Sequence, residues 1–301
     1  MNRSSHRLSL CSRYFSDNGH DAAFQYCRDL VKSRDHDNFL CMLLLPNRVR
    51  HAAFAIRAFN IEIAQIQDVT SETHISEMRM KFWKETLDLI YQDKPPSHPV
   101  AVALAVSLQQ HKLTKRWFKR LLDARSERLT EPPFRSLTAA ESYGENAFSP
   151  VLYLLLETLD VKDVTVDHAA SHLGKAASLV TLIRSTLYHS QRRKVILPTD
   201  LMIKHDIADE DILRGRRKEQ LNEVVFDIAS SSHIHLQKVK AMEQSLSKES
   251  MKVFLPYIPI SMFLRRLQII DFDVYHPKLN ERQWTLSLKL LYSSLTGSIF
   301  K

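Results

Sequence analysis

Residues 51–70 read HAAFAIRAFNIEIAQIQDVT. Ala52, Ile56, Phe59, Ile63 and Ile66 step by four and three, which aligns them on one face of an α-helix. Nothing in the stretch alternates with a period of two, so a strand is excluded here. The same helical period recurs outward in both directions. It predicts helices over 21–34, 74–92, 98–111, 114–129, 138–159, 165–190, 218–246, 248–270 and 280–296. Pro46, Pro95, Pro96, Pro99, Pro132, Pro133, Pro198 and Pro277 fall between or at the edges of these runs. Proline lacks the backbone donor an interior helical residue needs, so this placement reads as punctuation. Pro150 falls inside a predicted run and marks a helix start or a kink there. No strand-period segment, internal repeat or low-complexity tract stands out. The expectation is an all-α fold, with one helical domain over residues 16–301.

Composition narrows the function classes. The chain has 301 residues, 44% hydrophobic and 25% charged, enough to bury a core. Its longest uncharged apolar run, Val253–Leu264, contains Pro256 and Pro259 and is too short to span a bilayer. Five glycines, none spaced as GxG, exclude the Gly-rich phosphate loops of Rossmann and P-loop proteins. Cys11, Cys27 and Cys41 have no CxxC spacing and predict neither a disulfide framework nor a zinc site. Of fourteen histidines, His168 and His172 are one turn apart and His233 and His235 two residues apart. Neither pair has a third ligand nearby in sequence, so solvated or core-edge imidazoles are expected.

Residues 1–15, MNRSSHRLSLCSRYF, contain Arg3, Arg7 and Arg13, four serines and no acid. Arg-rich, Ser-rich and acid-poor is the composition of a mitochondrial transit peptide. Residues 1–15 are expected to be one, and the remainder stays basic.

Four segments carry a resemblance. They are DNFLCMLLLPNRVRHAAFAIRAF (37–59), MKFWKETLDLIYQDKPPSHPVAVAL (80–104), GKAASLVTLIRSTLYHSQRRKVILPTDLMIKHDI (174–207) and FLPYIPISMFLRRLQIIDFDVYHPKL (254–279). In order and in spacing the chain resembles the squalene/phytoene synthase family. The resemblance implies the isoprenoid (squalene/phytoene) synthase-like helical bundle. It also implies a test of chemistry. Those enzymes ionise an allylic diphosphate through Mg²⁺ held by two aspartate motifs, each with carboxylates four residues apart on one helix face.

Here the first motif falls on Ala64, Gln65 and Asp68, with two of three acids replaced. The second falls on Ser185 and His189, with both acids replaced. From His168 to Thr199 there is no Asp or Glu, while Lys175, Arg184, Arg192, Arg193 and Lys194 are present. Asp68 and Glu72 could form a displaced pair only if the helix ran on through Thr70 and Ser71, both mediocre helix formers. Tyr143 matches the start of the family's central YxxxxxG signature, with Ser149 at the glycine, and is expected to line the core or a cavity. No catalytic, cofactor-binding or metal-binding residue is therefore expected, and no cofactor.

A mitochondrial branch of the family lacks the aspartates and acts in assembly of respiratory complex I; the sequence resembles that branch. The resemblance implies a non-catalytic factor for early complex I assembly. It would be peripheral on the matrix side of the inner membrane, with complex I subunits or assembly intermediates as partners. The alternative is a Mg-dependent prenyltransferase or lipid-binding enzyme with a rebuilt site. An apolar ligand could occupy the retained cavity. Three basic groups, Lys112–Arg120, Arg192–Lys194 and Arg214–Lys218, suit an anionic lipid surface at about 1 kcal/mol per residue. Aromatic residues are not interleaved with them as on stacking platforms, so nucleic acid is not expected as a partner.

Overall fold

The computed structural model describes residues 17–69, 72–130, 133–281 and 283–300. The expected transit peptide, residues 1–15, lies outside them. Among the described residues there is no strand. The order is α1 (Asp17–Arg34), α2 (His36–Leu43), α3 (Asn47–Ala64), α4 (Ile66–Val69), α5 (Thr73–Ile90), α6 (Pro99–Gln110), α7 (Lys115–Glu127), α8 (Leu137–Ala147), α9 (Ser149–Thr158), α10 (Val164–Ser190), α11 (Thr199–Lys204), α12 (Asp209–Leu213), α13 (Lys218–Ala241), α14 (Tyr257–Ile269) and α15 (Leu286–Thr296). Short 3-10 turns cover Glu243–Ser245, Ser250–Phe254 and Pro277–Asn280. The chain groups into two compact units: residues 1–129 with 154–161, and residues 130–153 with 162–301.

In the first unit, α3 is the core helix. Ala52, Ile56, Phe59, Ile63 and Ile66 are all buried, as their spacing predicts. Phe54, Ala55 and Ala58 are buried as well, because α1, α2, α6 and α7 pack against α3. Phe59 sits edge-on to Trp83 at 5.4 Å and to Phe118 at 5.3 Å, a favoured aromatic geometry. The α6 helix starts at Pro99, where a missing N–H costs nothing, and is buried continuously from Val100 to Ser107. Cys27 and Cys41 are free and buried, with the Cys27 thiol pushed up to about 12 by burial.

In the second unit, α10 is the axis. Its N-cap Asp163 accepts from the N–H groups of Thr165 at 2.7 Å and Val166 at 3.3 Å. It packs against α8, α13 and α14. Small residues on α10 allow backbone close to backbone. A Cβ on Gly174 would lie 2.2 Å from Ser149 Oγ and 2.6 Å from Ser149 N. Ser149, at the glycine of the family signature, is therefore itself part of a tight helix crossing.

Several predicted runs are cut. The 138–159 run is two helices, broken at Phe148 (φ −124°, ψ −47°), with Pro150 at the second residue of α9. The 248–270 run is a 3-10 turn followed by α14, since Pro256 cannot continue the helix. The 218–246 run ends at Ala241, and the last helix starts at Leu286 rather than near residue 280. Helices α2, α11 and α12 were not among the predicted runs; each is eight residues or fewer, too short to show a helical period.

Candidate functional site

The first motif position lies where α3 ends. Gln65 is the C-cap, and its N–H donates to the Ile61 carbonyl at 3.0 Å. Ala64 and Gln65 are partly exposed, while Ile66 turns inward and is buried. Asp68 is exposed on α4. That helix is described as far as Val69, and Glu72 is extended (φ −99°, ψ 119°) at the N-cap of α5. Asp68 and Glu72 consequently do not share a helix face. Glu62, half-buried one turn earlier, accepts from the Tyr26 hydroxyl at 3.1 Å. Beside it lies a groove of about 350 Å³ lined by Gln65, Ile66, Val69, Met78, Phe82 and Trp83 among others.

The second position lies at the end of α10. The Ser185 hydroxyl donates to the Leu182 carbonyl at 3.1 Å. The His189 ring meets Tyr188 edge-on at 5.2 Å. The surroundings are cationic: Arg184 lies over Phe263 at 5.7 Å and Arg192 over Tyr188 at 3.6 Å. Arg193 turns the chain in the left-handed region (φ 57°) before Lys194.

Magnesium requires hard, charged oxygens in near-octahedral array and keeps several waters. The first position offers Gln65 and an exposed Asp68; the second offers Ser185 and His189 with guanidinium groups as neighbours. These donors do not fit the ion. Among the described residues, no three His, Cys, Asp or Glu side chains gather as metal ligands.

The main polar cluster of the second unit lies elsewhere and crosses helices. His172 on α10 and His235 on α13 meet Nδ1 to Nδ1 at 2.8 Å. His235 Nε2 is 3.5 Å from Glu141 Oε1, and Ser231 donates to the same carboxylate. One turn along α8, Glu145 accepts from Tyr153 at 2.9 Å and from Ser171, with Lys175 at 3.7 Å. If His172 carries its proton on Nδ1 and His235 on Nε2, every donor in the chain meets an acceptor. Burial first, then His235, Lys238 and Lys175, push His172 down to about 4. Burial also lowers His235, against the opposing pull of Glu141. The sequence paired these histidines with near neighbours; the fold pairs them across 63 residues. Tyr143 is half-buried between Phe134 and Phe148.

The basic groups differ from one another. In Arg214–Lys218, Arg214 pairs with Glu210 and Arg217 with Asp206 at 2.7 Å, so much of that charge is already balanced. In Lys112–Arg120, Lys115 pairs with Asp88 at 2.8 Å. The expectation that no aromatic is interleaved needs correcting there. Trp117 lies between Arg116 and Arg120, 5.7 and 5.3 Å from its ring. Its indole N–H donates to Glu157 at 3.0 Å, and it is half-buried.

The squalene/phytoene synthase family model matches residues 31–290. The chain belongs to the squalene/phytoene synthase family. Within it, the chain is 43% identical over 270 residues to NADH dehydrogenase (ubiquinone) complex I, assembly factor 6 of Bos taurus, covering 90% of this chain and 81% of the relative. It is 34% identical over 285 residues to the Drosophila melanogaster homolog of that factor, covering 92% and 84%. A solved dehydrosqualene synthase shares the fold with a TM-score of 0.79 at 16% identity, covering 93% of this chain and 98% of that one. The fold is thus the helical one of squalene/phytoene synthases.

Proposed function

We propose that this chain is a non-catalytic factor for assembly of mitochondrial respiratory complex I, built on a synthase fold that no longer holds magnesium. What carries the reading is the pairing of two facts. Relatives named for complex I assembly match 90% of the chain, and the positions that the family resemblance assigns to the two motifs present donors unsuited to Mg²⁺. In this reading residues 1–15 direct import, and residues 16–301 act as one helical domain. The mature protein attaches to the matrix face of the inner membrane without spanning it, and contacts complex I subunits or assembly intermediates while a membrane-embedded subunit is built in. No described helix is long and apolar enough to cross a membrane, which suits a peripheral role.

The test is genetic. In cells lacking the protein, the Asp68→Ala/Glu72→Ala variant is expected to restore complex I as fully as the natural chain, read by native gels and NADH oxidation. Loss of rescue by a variant that is imported and folded would overturn the non-catalytic reading.

A further inference from the structure

The last helix shows apolar side chains on both sides. Leu286, Leu290 and Ser293 face inward and are buried, as are Ile299 and Phe300 beyond the helix. Phe300 packs edge-on to Tyr257 at 4.8 Å. Arg266 of α14 donates to the carbonyls of Lys278 at 2.9 Å and Glu281 at 2.6 Å, fixing the segment ahead of α15. The helix is therefore docked without help from its outer face. Yet that face holds Leu288, Leu291, Tyr292 and Leu295, exposed at 62, 48, 63 and 78%. Trp284, a turn earlier, is 81% exposed. At 3.6 residues per turn the four helical side chains fall within an arc of roughly 100°, flanked by Lys289 and Thr296 on one side and Ser287 and Ser294 on the other, while Trp284 lies in the turn that precedes the helix.

Single exposed leucines are ordinary; four large apolar side chains in one stripe, with an exposed tryptophan just ahead of the helix, are not. We propose that this stripe is a lipid-contacting face that dips into an anionic bilayer surface. The proposal deepens the peripheral-membrane reading above and rests on it. Charge favours lipid over a protein partner chosen by ion pairs. From Gln283 to Phe300 there is no Asp or Glu, Lys289 borders the stripe, and the whole chain carries +8. Composition agrees: leucines suit the acyl boundary, while Trp and Tyr suit the headgroup layer because each has an apolar body and a polar tip. An eleven-residue helix lying in the interface buries its apolar face by about 5–10 Å, the depth of one layer of side chains. Lys289 at the rim can reach outward to phosphate.

The experiment uses the purified mature chain and vesicles of phosphatidylcholine with or without cardiolipin. The chain should sediment with the cardiolipin vesicles, and lipids brominated near the headgroup should quench tryptophan emission. Leu288→Gln/Leu295→Gln should lower vesicle affinity at least about tenfold with thermal unfolding unchanged, since both residues are exposed. Trp284→Phe should remove most of the quenching, leaving the emission of Trp83 and Trp117. As a second variant, Lys289→Glu should weaken binding to the anionic vesicles. Equal binding by the leucine variant, no quenching, or no vesicle binding at all would overturn the proposal. So would a concentration-dependent dimer, seen by sedimentation, that the leucine substitutions abolish, since the stripe would then belong to a second copy. Because this readout needs no complex I, it fails independently of the genetic rescue.

Discussion

At residue scale, Gly174 has no room for a side chain. A methyl group there meets the backbone N of Ser149 at 2.6 Å and its Cα at 2.7 Å as well as the hydroxyl. A side chain can swing away; a backbone atom cannot, so Gly174→Ala must push α9 from α10. Overpacking of this kind costs about 1–3 kcal/mol, and a lowered urea midpoint at unchanged slope would record it. Adding Ser149→Gly should not restore stability, since N and Cα remain. The His172–His235 pair makes a second prediction, in pH. The folded pKa of His172 is lowered to about 4, below the unfolded value of about 6.5. As pH falls below about 6.5 the unfolded chain takes up this proton and the folded chain does not, so stability declines until about pH 4. Lys175, Lys238 and His168 add to the burial of His172, and Glu141 opposes the shift at His235. Urea midpoints of the natural chain should fall across that window more steeply than those of His172→Gln. Equal slopes would assign the loss to other groups.

At element scale, the helices that were legible are the ones whose pattern is local. The four-and-three spacing from Ala52 to Ile63 places α3 and its buried face correctly, though the helix is cut at Gln65 and Ile66 opens α4, and the run predicted over 165–190 falls on α10. What could not be read depends on contacts distant in sequence. The break at Phe148 follows from how closely Ser149 approaches Gly174, and the His172–His235–Glu141 chain joins three helices. The outward stripe of α15 was also hidden, because a leucine-rich helix gives the same spacing whether one face or two are buried. The cap at Asp163 can be tested by itself. Its carboxylate serves two N–H groups at the start of a 27-residue helix. Asp163→Ala should cost about 1 kcal/mol, while Asp163→Asn or Asp163→Ser should retain most of it. Thermal unfolding of the three variants ranks them.

For the whole molecule, the proposed role raises the question of how a synthase fold would stand without magnesium. The residues of α3 that pack, Ile56, Phe59 and Ile63, are different from the residues that the family resemblance assigns to the motif: Ala64, the C-cap Gln65, and Asp68 on α4. In α10 Leu179, Val180 and Ile183 are buried while Ser185 and His189 are only partly so. Carboxylates crowded at a vacant metal site repel one another, so replacing them by neutral groups removes a cost to folding as well as the metal. The bundle is then expected to be stable without magnesium, and a ligand titration can decide it. A ligand that binds only the folded state raises stability by RT ln(1 + [L]/Kd), about 2.7 kcal/mol at a hundredfold excess over Kd. An active synthase should therefore show a clear rise in Tm with Mg²⁺ plus an unreactive prenyl thiodiphosphate, reversed by EDTA. For this chain the expected Tm is the same with Mg²⁺, with the analogue, with both, and with EDTA. A rise of several degrees that requires both together would show that the molecule still assembles a metal-diphosphate site. It would also return the chain to the enzymes of its family. A flat response would leave packing, and contacts made by its surfaces, as what the fold has been kept for.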